Sequence, residues 1–114
     1  MVKNLTVTLN ENELLFLLVV VGLEDEEKYL ELGLNIEYTT KERLDAGRSS
    51  LLSRDLIKYE KNDSIPIIDE VAIGLVGTIV EGKKTDDYYI DEQTGWKAKV
   101  IKEGEWYVIT GEGE

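Results

Sequence analysis

The run Leu14–Val21, LLFLLVVV, constrains the fold of this chain more than any other segment. A stretch that is apolar on every side has to lie inside a core or a bilayer, and this one falls far short of the ~20 residues that span a membrane. Asn10 stands before it as a helix N-cap, with Glu13 in the capping-box position three residues on. Glu11 and Glu13 also sit where the helix dipole favours negative charge. Gly22 is a natural stop. The pattern predicts a central, buried helix. With no basic flank or cleavage site around it, the run reads as core and not as an export signal.

Ahead of that helix, Leu5, Val7 and Leu9 alternate with Thr6 and Thr8, the period of a half-buried strand over Lys3 to Leu9. Behind it an acidic helix is expected over Glu24 to Leu32, ended by Gly33, and then a short linker or strand with Leu34, Ile36 and Tyr38. Thr39 and Glu42 make a second capping-box pattern. They open a helix that carries Leu44, Leu51, Leu52 and Leu56 on one side and runs to about Asp55 or Leu56. Ile57 to Tyr59 and Ile65 to Ile67, around a polar turn, read as a hairpin whose second arm Pro66 restricts to an edge.

Asp69 caps a fourth helix from Glu70 to about Val80, with Val71, Ala72, Leu75, Val76, Ile79 and Val80 as its apolar stripe. Gly74 and Gly77 each cost about 1 kcal/mol against alanine in a helix, so they predict close approach of another helix. Lys83 to Asp87 reads as a solvated loop. Three strands follow, at Tyr88–Ile90, Trp96–Lys102 and Glu105–Thr110, and residues 111–114 are expected to fray. The class is α+β: a winged-helix-like helical core over about 10–82, followed by a small antiparallel β-sheet, a meander over about 87–110. All of 1–114 is expected to be one domain.

At 114 residues and 42% hydrophobic content the chain can bury one core without a staple. It has no cysteine and no histidine, which removes disulfides, thiolate and imidazole metal ligands, the strongest nucleophile and the commonest general base. No glycine-rich phosphate loop joins a strand to a helix. The acids Glu24 to Glu27, and Asp86, Asp87, Asp91 and Glu92, lack the alternating spacing of a calcium loop and read as solvated. Ser49, Ser50 and Ser53 have no base to activate them. We therefore expect no catalytic residue, no metal, no cofactor and no enzymatic activity. A carboxylate-and-metal enzyme is the remote alternative.

The net charge of −11, from 24 acids against 13 bases, repels phosphate backbones and anionic membranes. A protein partner of unknown identity is the expectation, in the cytoplasm and away from membranes, with a homodimer left open. Two groups of residues are candidates for contact. Tyr89, Trp96, Trp106 and Tyr107 lie on strands that carry aromatics on both faces, and Trp and Tyr are favoured interface anchors. Core packing is their competing role. Arg43, Arg48, Arg54 and Lys58 give the third helix and the hairpin a local basic excess. Three helices and a hairpin in this order could make a winged helix-turn-helix that reads DNA. The same bases could equally pair with neighbouring acids, and the overall negative field opposes DNA binding.

The helix opening ENELLFLL, followed at a distance by KERLDAGRSSLLSRDLI, resembles the opening region of the EspG-like proteins, cytosolic chaperones of type VII (ESX) secretion. In that family an E-L helix precedes a helix ending in an sL-x-x-R-G-L pattern. The matching positions are Glu13, Leu14, Leu51, Leu52, Arg54, Leu56 and Ile57. The likeness covers about two-thirds of the chain. Asp55 stands where the family commonly has glycine, and the chain is much shorter than a full chaperone. The resemblance implies a protein-binding role with no catalytic centre.

Overall fold

Leu5, Val7 and Leu9 turn to the interior from an eight-residue strand, β1 (Lys3–Asn10), and the chain passes directly from it into helix α1 (Glu11–Val20) in the computed structural model, which describes residues 2–114. The capping box forms as its spacing predicts. The Asn10 side chain accepts from the Glu13 amide at 2.8 Å, and the Glu13 carboxylate accepts from the Asn10 amide at 2.8 Å. Leu14, Leu15, Leu17 and Leu18 have no exposed surface, so the helix is central. Each such side chain contributes roughly 1.5–3 kcal/mol of burial.

Helix α2 (Glu26–Glu31) is shorter than expected because Asp25, not a residue before it, caps it and accepts from the Glu27 amide. A single 3-10 turn at Ile36–Tyr38 replaces the expected linker or strand. Helix α3 (Lys41–Ser53) is capped by Thr40 in place of Thr39, whose hydroxyl instead donates back to the Ile36 carbonyl. It stops two to three residues early, since Asp55 takes φ 58, the left-handed region. Strands β2 (Ile57–Lys58) and β3 (Ile67–Ile68) form a short antiparallel ribbon, and Asp69 caps α4 (Glu70–Glu81) through the Val71 and Ala72 amides. Lys28 closes the other end of α4, its ammonium donating to the Val80 and Gly82 carbonyls at 2.8 Å each.

The segment expected as a solvated loop holds a strand, β4 (Lys83–Thr85), which turns at Asp86 into β5 (Tyr88–Ile90). Then come β6 (Lys97–Glu103) and β7 (Trp106–Gly113), joined by the two-residue turn Gly104–Glu105. The sheet has five strands in the order β1-β7-β6-β5-β4, all antiparallel, where the sequence suggests three. The added members are β4 and β1. Pairing of β1 with β7 runs from Lys3 opposite Gly113 to Asn10 opposite Trp106, so residues 111–113, expected to fray, are paired in the ladder. The molecule is α+β: among the described residues, four α-helices, the five-stranded sheet and the two-stranded ribbon.

Helices α1 and α4 lie with the inward residues of the sheet, Val7, Leu9, Tyr89, Ala98, Tyr107 and Ile109, in one core. Helix α3 packs on α1 so closely that a Cβ on Gly47 would collide with the Asn12 carbonyl. Gly74 and Gly77 behave differently. A Cβ on either meets nothing within 4 Å, so the helix expected against them is not there. Among the described residues no helix is long and apolar enough to cross a membrane.

Candidate protein-interaction surfaces

Alternation along the strands gives the sheet two unlike faces. The inner face carries the core. On the outer face, register places Tyr88, Lys99, Thr110 and Thr6 in one row, and Ile101, Val108 and Thr8 in the next. Trp106 stands opposite Glu103 beyond them. None of Tyr88, Ile101, Trp106 or Val108 belongs to the core, and Ile101 and Trp106 are each 42% exposed. Lys97 and Lys99 lie over the Tyr88 ring at 5.5 and 5.9 Å, within reach of a cation–π attraction. Hence the outer face is an apolar strip with lysines beside it, on a chain that is otherwise strongly acidic.

The four aromatic residues singled out in the sequence do not share this face. Trp106 is on it. Tyr107 and Tyr89, at 1% and 2% exposure, point inward and are core residues. Neighbours one step apart on a strand face opposite ways, and in β7 it is Trp106, not Tyr107, that faces out. Burial raises both phenols above their usual ionisation range. For Tyr89, the Glu31 carboxylate adds to this through its charge and a 3.1 Å hydrogen bond. The Tyr107 hydroxyl is buried with no hydrogen-bond partner among the described residues. Trp96 is half-buried on the inner side, against Gly113, and forms a wall of a groove beside α4.

The basic residues divide in the same way. Arg54 reaches the fully buried Glu13 carboxylate at 2.5 Å, donates to the Thr8 carbonyl at 2.8 Å and lies over the Trp106 ring. Ser50 also donates to Glu13. Arg43 is bound to Glu11 and Asn12 and stacks on Tyr38. Both are drawn onto the α1 side of α3, leaving Arg48, over the Tyr59 ring, and the exposed Lys58 as the outward cations of this group. A recognition helix needs its cations directed outward together, and here two of the four candidates are held by the α1 acids Glu11 and Glu13. Sequence reasoning missed that Glu13, besides capping α1, is the buried anchor for Arg54. The signal was present in the capping box, which already turns Glu13 back along the chain.

The groove beside α4 holds about 480 Å³ and is floored by Leu5 and Leu75, with Gly74 and Gly77 on one side and Trp96 on the other. A second cleft of about 490 Å³ lies at the far end of the sheet, between Glu31, Lys84 and Lys102, above Tyr89 and Tyr107. Among the described residues no cluster of three acids has metal-binding geometry. Comparison with family models, with curated proteins and with solved structures finds no match to this chain.

Proposed function

We propose that this chain is a protein-binding module without a reactive centre, acting as an adaptor or chaperone in the cytoplasm. The observation that carries the reading is the outer sheet face, where Ile101 and Trp106 are each 42% exposed and Val108 stands outside the core. Exposed aromatic and aliphatic side chains on a rigid sheet make an anchor surface for another protein. An EspG-like secretion chaperone is the narrower form of this reading. It is supported by the residues of the resemblance: Glu13 and Arg54 are ion-paired, and Asp55 takes the left-handed backbone that a glycine would favour.

The test is capture from native cytosol by the purified protein and by its Ile101→Glu variant, which changes an exposed position. The expected result is a protein retained by the original and lost by the variant, with both melting at nearly the same temperature. Equal capture by the two would remove the outer face from the account, and capture of nucleic acid alone would remove the function.

A further inference from the structure

The two edges of the five-stranded sheet are finished differently. At one edge β4 has three residues and carries Lys83 and Lys84, the short, charged edge that discourages pairing. At the other, β1 has eight residues, and its only charge is Lys3. Backbone groups in an antiparallel strand point alternately toward and away from the neighbour. The Asn10 amide donates to Glu13 and the Thr8 carbonyl accepts from Arg54, which shows that even-numbered residues of β1 turn away from β7. Glu13 and Arg54 thus close the upper end of the edge. Below them the amides of Asn4, Thr6 and Thr8 and the carbonyls of Asn4 and Thr6 face outward, and no group among the described residues takes them up. Asn4 and Thr6 are exposed.

The groove beside α4 meets this edge at Leu5. Two glycines in mid-helix are costly, and among the described residues nothing lies within 4 Å of where their side chains would begin. The groove is lined by three acids, Glu70, Glu81 and Asp91, and by no base. Asp91 is only 8% exposed. One of its oxygens accepts from the Gln93 amide at 2.9 Å, and no cation pairs with it among the described residues. A carboxylate buried to that degree calls for a counter-charge.

We propose that β1 and this groove together receive an extended, basic segment of a partner protein. The segment adds a sixth strand along Asn4 to Thr8. Beyond that strand the segment turns across the sheet along the groove, because Asp91 follows β5, three strands in from β1. There it lays an aliphatic side chain over Gly74 and Gly77 beside Trp96 and brings a lysine or arginine to Asp91. Main-chain hydrogen bonds supply the pairing, and the alternate side chains supply the selection. The occupant is basic because every ionisable group lining the groove is acidic, and this disfavours a second copy of a chain carrying −11. The site is separate from the outer face and stands whether or not that face binds anything.

A capped peptide long enough to pair with β1 and continue into the groove is the probe, with lysine and valine sharing the positions of one face and threonine on the other. The control has glutamate in place of lysine, and both are read by amide hydrogen exchange of the full chain. The basic peptide should slow exchange at Asn4, Thr6 and Thr8 by at least about tenfold, with the effect weakening as salt rises and absent for the acidic peptide. Thr6→Pro removes one outward amide from an edge where proline is tolerated, and Gly77→Leu fills the groove. Each should weaken binding by about tenfold or more while the fold persists. Asp91→Asn keeps the bond from Gln93 and should lower the preference for the basic peptide. No protection at millimolar peptide, equal protection by the acidic peptide, or full binding by Thr6→Pro would overturn the proposal. So would protection that grows with protein concentration without peptide, which would make the occupant a second copy.

Discussion

A carboxylate with no exposed surface is stable only if its charge is answered. Glu13 is answered three ways: by Arg54, by the Ser50 hydroxyl and by the Asn10 amide. Arg54→Met should therefore destabilise the protein by about 3 kcal/mol, because it leaves the buried charge with two neutral donors. Glu13→Gln in the same background should recover part of that loss, and urea denaturation of the four proteins in a double-mutant cycle measures the coupling. Additive losses would mean that Arg54 acts through its contact with Trp106 instead. Tyr107 is the opposite case, a hydroxyl buried with no partner among the described residues. Removing an unsatisfied group relieves a desolvation penalty, so Tyr107→Phe should be neutral or stabilising by up to about 1 kcal/mol. A loss of stability would show that the hydroxyl is satisfied in solution.

Glycines divide the helices into a closed contact and an open one. In α3, Gly47 lets the Asn12 carbonyl of α1 come inside ordinary contact distance, so Gly47→Ala should cost about 1–3 kcal/mol despite alanine's better helix propensity. In α4, Gly74→Ala and Gly77→Ala meet open space and should each stabilise by up to about 1 kcal/mol. Thermal melts of the three variants check the contrast, and a loss at Gly74 would place something against that face. The sequence shows why the element-level reading went only part of the way. Capping residues and periodicity marked α1 and α4 closely, because those signals are local. The partner of β1 was not legible, since nothing in Leu5, Val7 and Leu9 says which strand they join across a hundred residues. The same gap hid the site. In β7, Trp106 and Val108 are as apolar as Tyr107 and Ile109, so alternation alone could not say which pair is the core. Docking of α1 and α4 decides it, and it carries Tyr89 and Tyr107 inward with the core residues.

At the scale of the whole molecule, the inward tyrosines tie the stability of the fold to alkaline pH. Tyr29, Tyr89 and Tyr107 all have phenols raised from the usual value of 10.0, first of all by burial. Each contributes a hydroxyl that the folded chain keeps protonated after the unfolded chain has begun to release it. Above about pH 10 the unfolded state therefore binds fewer protons, and the free energy of unfolding falls as pH rises. The contribution is intact below that pH and is lost on the way up to the folded-state values. Each phenol that stays protonated contributes a slope of about 1.4 kcal/mol per pH unit, so the three together make alkaline unfolding steep and cooperative. Phenolate absorbance followed against pH should show these tyrosines ionising in one step, at the same pH at which the far-ultraviolet circular dichroism collapses. Tyr107→Phe should make the decline shallower by one proton while leaving stability at neutral pH unchanged or improved. If the buried phenols ionise smoothly while the circular dichroism is still native, the inner face is open to water. A partner could then reach the inner face as well as the outer strip and the β1 edge.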